Sequence, residues 1–451
     1  MSSGHGGDSA PAPTGKPSDD STLITTFSSL RIRNYRIYFL GSSISNIGTW
    51  MQRIAQDWLV HTLTGSAAAV GITMALQFLP MLLFGLYGGV LADRVNKRRL
   101  LLGTQAAMGI TGLALAALTL SGQVNVYHVY ALALVLGLIT VVDNPTRQVF
   151  VTDIVGPRLL RNAVSLNSAN FQSARLIGPA VAGFVITTVG SGWAFLCNGL
   201  SFIAPIIGLL LMRPAELVPA ERAPRRKGQL MEGLRYVGGR PDLLWPIVLL
   251  GFVGTFGFNF PVFVIAFTDH VFHADADTYG LLNTLMAAGS VAGALLAARR
   301  GGRRMRFTVL TGALFGVLLF AAALAPNFLV FALLMAPIGI AGMTFVVTAN
   351  SGLQMASEPA MRGRVISIYM MVFVGGTPIG SPLLGWVTDT FGPRTGMLTG
   401  GAICVLVAVA VALVLARIAG LRVRISLRAG HRGVMLVPRD ARDPEELTAT
   451  A

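Results

Sequence analysis

From about residue 35 to residue 418 the chain alternates long apolar runs with short connections rich in basic side chains. A bilayer core about 30 Å thick takes about 20 helical residues to cross. The runs 69–92 and 100–120 have that length with almost no charge, and 401–416 continues the pattern. One such run alone is compatible with a buried soluble helix, but its repetition along the chain predicts an all-α membrane protein. Twelve transmembrane helices are expected, near 36–61, 67–92, 99–121, 127–151, 163–189, 193–212, 243–268, 278–298, 306–325, 328–353, 365–388 and 396–418. The polar connection 213–242 divides them six and six, into an N-terminal six-helix bundle (35–212) and a C-terminal one (243–418). A short surface helix is expected in that connection near 229–237. The Gly-, Ser- and Pro-rich leader 1–34 has no apolar stretch and is expected to be disordered, and the basic tail 419–451 to be solvated.

The halves repeat at an offset of about 202 residues. "PRLLRNAVSLN" (157–167) falls on "PAMRGRVISIY" (359–369), and "IGPAVAG" (177–183) falls on "IGSPLLG" (379–385). Gly137, Gly190 and Gly199 fall on Gly339, Gly392 and Gly401. Coincident Gly and Pro weigh more than shared Leu or Val, because they mark kinks and close helix contacts. A pseudo-two-fold axis along the membrane normal, with a substrate site between the halves, is expected.

Charge settles the sidedness. Charged residues make up 12% of the 451-residue chain, about half the ~25% usual in soluble domains. The net charge of +15 lies in the connections, with no aromatic interleaving, so no nucleic-acid partner is expected. Arg94, Lys97, Arg98, Arg99, Arg158, Arg161, the 213–240 segment, Arg299 to Arg306, Arg362 and Arg364 all fall on one side, against Arg394 alone on the other. The positive-inside rule therefore places both termini in the cytoplasm. Cys197 and Cys404 fall within spans, which argues against a disulfide framework. The excess of Arg over Lys points to a GC-rich bacterial genome, and a bacterial plasma-membrane location is expected.

A few charges lie inside the spans. In "TWMQRIAQDWLV" (49–60), Arg53 and Asp57 are four residues apart on a polar stripe that also takes Ser42, Asn46, Thr49 and Gln56. Asp143 and Arg147 repeat that spacing in the fourth span, and Arg175 lies near the middle of the fifth, within reach of Asp143. A charge at mid-bilayer costs about 3 kcal/mol or more and nearly always faces a bundle interior or a wet cavity. Arg53, Asp57, Asp143, Arg147 and Arg175 are therefore proton-coupling candidates, with a static salt bridge as the competing reading. The cavity wall of the second half is expected to be apolar and aromatic, with Phe256, Asn259, Phe263, Asn350 and Gln354 as candidates beside Asn46 and Gln56. Such a wall suits a large amphipathic organic molecule better than a sugar or an inorganic ion.

"GGVLADRVNKRRL" (88–100) resembles the cytoplasmic loop signature of the major facilitator superfamily, through Gly89, Leu91, Ala92, Asp93, Arg94, Lys97 and Arg98. Asn96 stands where that signature has Gly, and is expected to take over its left-handed turn. The resemblance covers about residues 30–420. It implies a cytoplasmic gate in which Asp93 meets Arg364–Val365 and Lys97 or Arg98 meets Asp153. The matching loop of the second half has Arg299 near the Asp position, so a second latch is not expected. "ARLIGPAVAG" (174–183) resembles the family's antiporter motif at Gly178, Pro179 and Gly183, with ordinary small-residue packing as the alternative. "DNPTRQ" (143–148), the first-span stripe and the stretch leading into the fifth span together resemble the branch of bacterial macrolide-type efflux proteins and the enterobactin exporter.

The resemblance implies a secondary transporter, not an enzyme. It would export an amphipathic, drug-like compound by alternating access in exchange for protons, acting as a monomer. A dedicated exporter of a siderophore or other secondary metabolite is the alternative, and a non-transporting receptor or scaffold a more distant one. No phosphate-binding loop, metal-ligand cluster or nucleophile–base pairing stands out, so no cofactor or metal is expected.

Overall fold

The computed structural model describes residues 27–217, 229–299, 305–359, 361–418, 421–426 and 433–438, without side-chain detail at 86, 89, 90, 92, 93, 229, 230 or in the last two segments. Before the central connection the helices are α1 (Arg33–Thr64), α2 (Ala67–Arg94), α3 (Lys97–Leu120), α4 (Val126–Val189), α5 (Ser191–Ser201) and α6 (Ile203–Leu211). The connection carries α7 (Gln229–Gly238). Then come α8 (Pro241–Phe252), α9 (Phe260–Ala266), α10 (Ala276–Arg299), α11 (Met305–Ala323), α12 (Phe328–Ala356), α13 (Arg362–Gly375), α14 (Thr377–Phe391) and α15 (Pro393–Ile418). Ten helical stretches among the described residues are long and apolar enough to cross a membrane. The 32-residue α1 is not among them, because its polar stripe lowers its hydropathy.

Several starts are written locally. Ser66 accepts from Ala69 N at the head of α2, Asn125 and His128 form a capping box at α4, and Asn327 accepts from Val330 N at α12. Asn96 corrects one expectation. Its backbone is extended (φ −61°), and its side chain caps α3 by accepting from Arg99 N at 3.1 Å. It starts a helix rather than replacing a left-handed Gly.

α4 runs through 64 residues, broken at Gly156 (φ 67°, ψ 173°) ahead of Pro157. Proline disfavours helical backbone at the residue before it, and only glycine takes this left-handed extended geometry without strain. The expected seventh span, 243–268, is also irregular. It is π-helical at Val253–Gly257 and Phe267–Val271, with a non-helical step at Phe258 and Asn259. Gly254 and Gly257 loosen the turn, and Pro261 has no N–H to return to the ladder.

Two expectations at the ends need correction. The leader is ordered by Ser28–Arg31, a 3-10 turn in which Ser29 is buried and bonds Asn162 Oδ1 through its N (2.9 Å) and Oγ (2.7 Å). In the tail, Leu421–Ser426 and Gly433–Pro438 pair antiparallel, so the chain is not purely helical. Val423 and Ile425 in an alternating run favour that strand.

The glycine coincidences of the repeat have structural counterparts. Gly190 and Gly392 both end helices in a positive-φ conformation (94° and 92°). Gly137 leaves room for Gln77 O of α2, and Gly339 for Met286 O of α10. Gly199 meets Leu113 of α3, and Gly401 meets Phe320 of α11.

The hydrophobic core is asymmetric along the helices. At the end carrying the α1–α2 turn, one continuous core joins Val60, Val70, Leu115 and Phe195 to Phe267, Tyr279, Phe331 and Leu384. At the α2–α3 end the N-terminal helices keep a separate core of Tyr35, Leu101, Phe150, Ile154, Leu166 and Met212.

Candidate functional site

At the α1–α2 end, helices before and after the connection interlock through small residues. A methyl at Gly183 would come within 3.1 Å of Asp277 Cα, and one at Gly280 within 2.6 Å of Pro179 O. The mirror contact is α2 against α14, where Gly71 faces Ser381 and Gly385 lies 2.5 Å, by the same measure, from Ala68 Cα. Ser381 and Gly385 are the repeat partners of Pro179 and Gly183, so the α4 and α14 sides of the two contacts obey the 202-residue offset. Of the antiporter-like motif, Pro179 and Gly183 face α10 across the halves, whereas Gly178 lies against Trp50 of α1.

Polar contacts reinforce this end. Asp389 of α14 accepts from Ser66 Oγ (2.5 Å), Ala67 N (2.8 Å) and Ala68 N (3.0 Å), capping α2 from the other half. A carboxylate at a helix N-terminus answers both the unpaired N–H groups and the dipole. His61 Nε2 of α1 stands 2.8 Å from Asp269 Oδ2, and His270 Nδ1 lies 3.3 Å from the same oxygen. These three residues are the one grouping among the described residues whose donor atoms, all within 4.8 Å of one another, could hold a metal ion. The sequence gives no sign of it, because His61 and Asp269 are 208 residues apart.

Beneath that contact lies the charged stripe of α1. Asp57 is buried and accepts from Tyr279 Oη of α10 at 3.3 Å, while Trp58 stacks on the same tyrosine with ring centroids 6.1 Å apart. Arg53 turns toward Trp50, its guanidinium carbon 5.0 Å from the indole centre and 5.8 Å from that of Phe78. Arg175 approaches the same Trp50 ring at 5.8 Å. The neighbouring charge that acts on Arg175 is Arg53, not Asp143. Arg175 also lines a cavity with Phe258, Phe260, Phe315, Met286 and Met343.

Asp143 sits apart from this group. It is 1% exposed, and its carboxylate accepts from Thr104 Oγ1 (2.6 Å), Gln105 Nε2 (2.8 Å) and Arg147 Nε (2.5 Å). All three donors belong to α3 and α4. Among the described residues, the hydrogen bonds of this carboxylate stay within one half.

In the loop motif, Lys97 Nζ lies 2.6 Å from Asp153 Oδ2, and Arg98 donates to Leu209 O (2.6 Å) and Leu210 O (3.0 Å) at the end of α6. Arg94 is exposed. Gly89 and Asp93 fall where side-chain surroundings lie outside the described residues, so the expected Asp93 contact does too. Arg364 pairs at 2.6 Å with Glu232 of α7, an acid that sequence reasoning did not single out. Tyr236 of α7 accepts from Glu358 N and from Arg240 Nη1 (2.8 Å). Hydrogen bonds to Asp242 hold the Arg240 guanidinium above its ordinary range.

The expected cavity residues scatter. Asn46 is half-buried and Gln56 buried on α1. Asn259 is buried in a structural role, donating to Thr255 O (2.7 Å) and accepting from Ser381 Oγ (2.6 Å). Phe263 is buried against Gly400 of α15, and Phe256 stacks on Phe252. Gln354 and Asn350 bond to each other at 2.8 Å. Phe258 and Phe260 face the cavity instead. A π turn takes in an extra residue, so helical spacing counted from Phe256 selects the wrong face.

Comparison with known proteins agrees with this architecture. The family model described as "Transmembrane secretion effector", of the major facilitator superfamily, matches residues 24–426. The staphyloferrin A transporter of Staphylococcus aureus is 26% identical over 380 residues, 82% of this chain and 94% of that protein. The enterobactin exporter of Escherichia coli is 25% identical over 388 residues, 84% of this chain and 91% of that one. A bacterial homolog of the human lysosomal transporter Spinster, in an inward-facing and occupied conformation, superposes with a TM-score of 0.68 at 15% identity, over 86% of this chain and 97% of that one. The family and these relatives are transporters rather than enzymes, and a multi-pass inner-membrane location goes with them. Joined through interlocked glycines at one end and holding a buried charged stripe between its repeats, the chain belongs to the transmembrane secretion effector family of the major facilitator superfamily.

Proposed function

We propose that the protein is a secondary exporter of amphipathic organic compounds, working by alternating access in exchange for protons. It crosses the membrane twelve times in two six-helix bundles. α4 contributes two crossings, since 64 helical residues at about 1.5 Å each exceed any bilayer, and α1 contributes one. With the arginine-rich connections inside, the α2–α3 end and both termini are cytoplasmic. The observation that carries this reading is the asymmetric core: the halves merge at the outer end and separate at the inner one. Arg53, Asp57 and Arg175 stand between them, within reach of a cytoplasmic opening.

Asp57 is the coupling residue in this scheme. Its bond to Tyr279 spans the two halves, so gaining a proton changes an inter-half contact. Asp143, satisfied within one half, holds Arg147 and α3 in place. The names of two relatives, each about a quarter identical, support a siderophore or comparable chelator as cargo over a broad drug spectrum. A single copy suffices for this cycle.

The test uses the full chain in inside-out proteoliposomes with an acidic lumen. Lumenal protons should drive accumulation of a labelled catecholate chelator. Asp57→Asn should cut that accumulation at least about tenfold, a loss equal to about 1.4 kcal/mol of coupling or more, yet keep pH-independent exchange. Accumulation by Asp57→Asn equal to wild type sinks the coupling role, and no proton-driven uptake of any compound sinks the transporter reading.

A further inference from the structure

The two guanidiniums beside Trp50 lack what buried charges ordinarily have. Among the described residues neither Arg53 nor Arg175 has an ion-pair partner, while Asp143 and Arg147 in the same bundle are fully paired. Both are partly shielded from water and both contact one indole. Cation–π contact recovers about 1–2 kcal/mol, less than the cost of holding an arginine in an apolar span. Their mutual repulsion adds to that cost. Asp57, even when ionised, offsets only one of the two charges and is bonded to Tyr279, so the group always keeps positive charge in excess.

The surroundings of Arg175 are apolar and aromatic. Phe258 and Phe315 stack with centroids 4.9 Å apart, and Phe260 meets Phe258 edge-on at 5.8 Å. Arg175 of the first half and Phe258, Phe260 and Phe315 of the second thus line one cavity, which in this conformation holds about 10 Å³ and must widen to admit cargo.

We propose that the transported compound is an anionic amphiphile, its acidic group held between Arg53 and Arg175 beside Trp50 and its apolar body laid against Phe258, Phe260 and Phe315. This rests on the transporter reading and names the charge of its cargo. An anion supplies the missing counter-charge, and a bidentate carboxylate or catecholate matches the guanidinium fork. A cationic drug would find the indole face already occupied by like charge. Binding both halves at once, the anion favours the state in which they close on it.

The experiment is binding to the full chain in nanodiscs of phosphatidylcholine alone, so that no lipid carries a net negative charge. The probes are tritiated 4-biphenylcarboxylate, its neutral isostere 4-biphenylcarboxamide, and the cation 4-biphenylmethylammonium, each corrected for binding to empty discs. Wild type should bind the carboxylate at least about tenfold more tightly than the amide, and the cation more weakly still. Arg53→Gln with Arg175→Gln should bring carboxylate and amide to within about twofold, while Arg53→Lys with Arg175→Lys should keep most of the preference. Equal binding of carboxylate and amide to wild type overturns the proposal, as does preference for the cation. A carboxylate preference unchanged in the double Gln variant also overturns it. Should the carboxylate bind selectively while no compound crosses the membrane, the anion site stands and the transporter reading falls.

Discussion

Asp57 and Asp389 show two ways a carboxylate can join the halves of this molecule. Asp57 is buried and meets one phenol, whereas Asp389 is exposed and takes three donors at the head of α2. In a solvated setting a charged cap contributes about 1 kcal/mol, enough to shift a two-state balance several-fold. Asp389→Ala should therefore raise maleimide labelling of a cysteine at Ala68 several-fold from the outer face, and Asp389→Asn should raise it less. Unchanged labelling in Asp389→Ala would mean that the cap does not hold the outer end. Sequence reasoning found Arg53, Asp57 and Arg175 because charge inside an apolar run needs no tertiary information to stand out. Their partners, Trp50 and Tyr279, carry no such mark, since an aromatic in a membrane helix is usually core or lipid-facing.

At the scale of elements, the decisive contacts involve residues with little or no side chain. Gly183 and Gly280 bring α4 and α10 together, as Gly71 and Gly385 do for α2 and α14. A methyl at Gly280 would approach a backbone oxygen that cannot move aside. Gly280→Val should force this contact apart and lower proton-driven uptake at least about tenfold, with the protein still folded by thermal melting. Gly103 offers the control. Nothing lies within 4 Å of a methyl there, and alanine is the better helix former by about 1 kcal/mol, so Gly103→Ala should transport normally and melt no lower. Wild-type uptake by Gly280→Val would remove the interlock from the mechanism. The glycines of the repeat were visible as coincidences in sequence, but the π segments were not. Gly254, Gly257 and Pro261 permit an irregular turn without saying where the extra residue goes.

For the molecule as a whole, alternation between two states implies opposed changes at its ends. Spin labels at Thr62 and Thr390 report the outer contact, and labels at Arg161 and Arg362 the inner opening; all four positions are exposed. Acidifying the bath without substrate should lengthen the outer pair and shorten the inner pair. Movement of both pairs in the same direction, or of neither, would contradict a rocking cycle. In the proposed cycle, the shared core at one end and the separate core at the other correspond to two bodies turning about a contact.

Hydropathy, charge placement and repetition along the chain suffice to determine a multi-pass helical protein, its kinship and its intramembrane charges. Each depends on properties that residues carry wherever they sit: apolarity over a bilayer's length, ionisation, the missing side chain of glycine. Which charge meets which partner was left to the tertiary structure. It joined Arg175 to Trp50 rather than Asp143, turned Phe258 and Phe260 toward the cavity in place of Phe256 and Phe263, and set Asp389 and Asp269 against the opposite half. Those choices depend on helix rotation and on contacts across some 200 residues, and no local pattern encodes either.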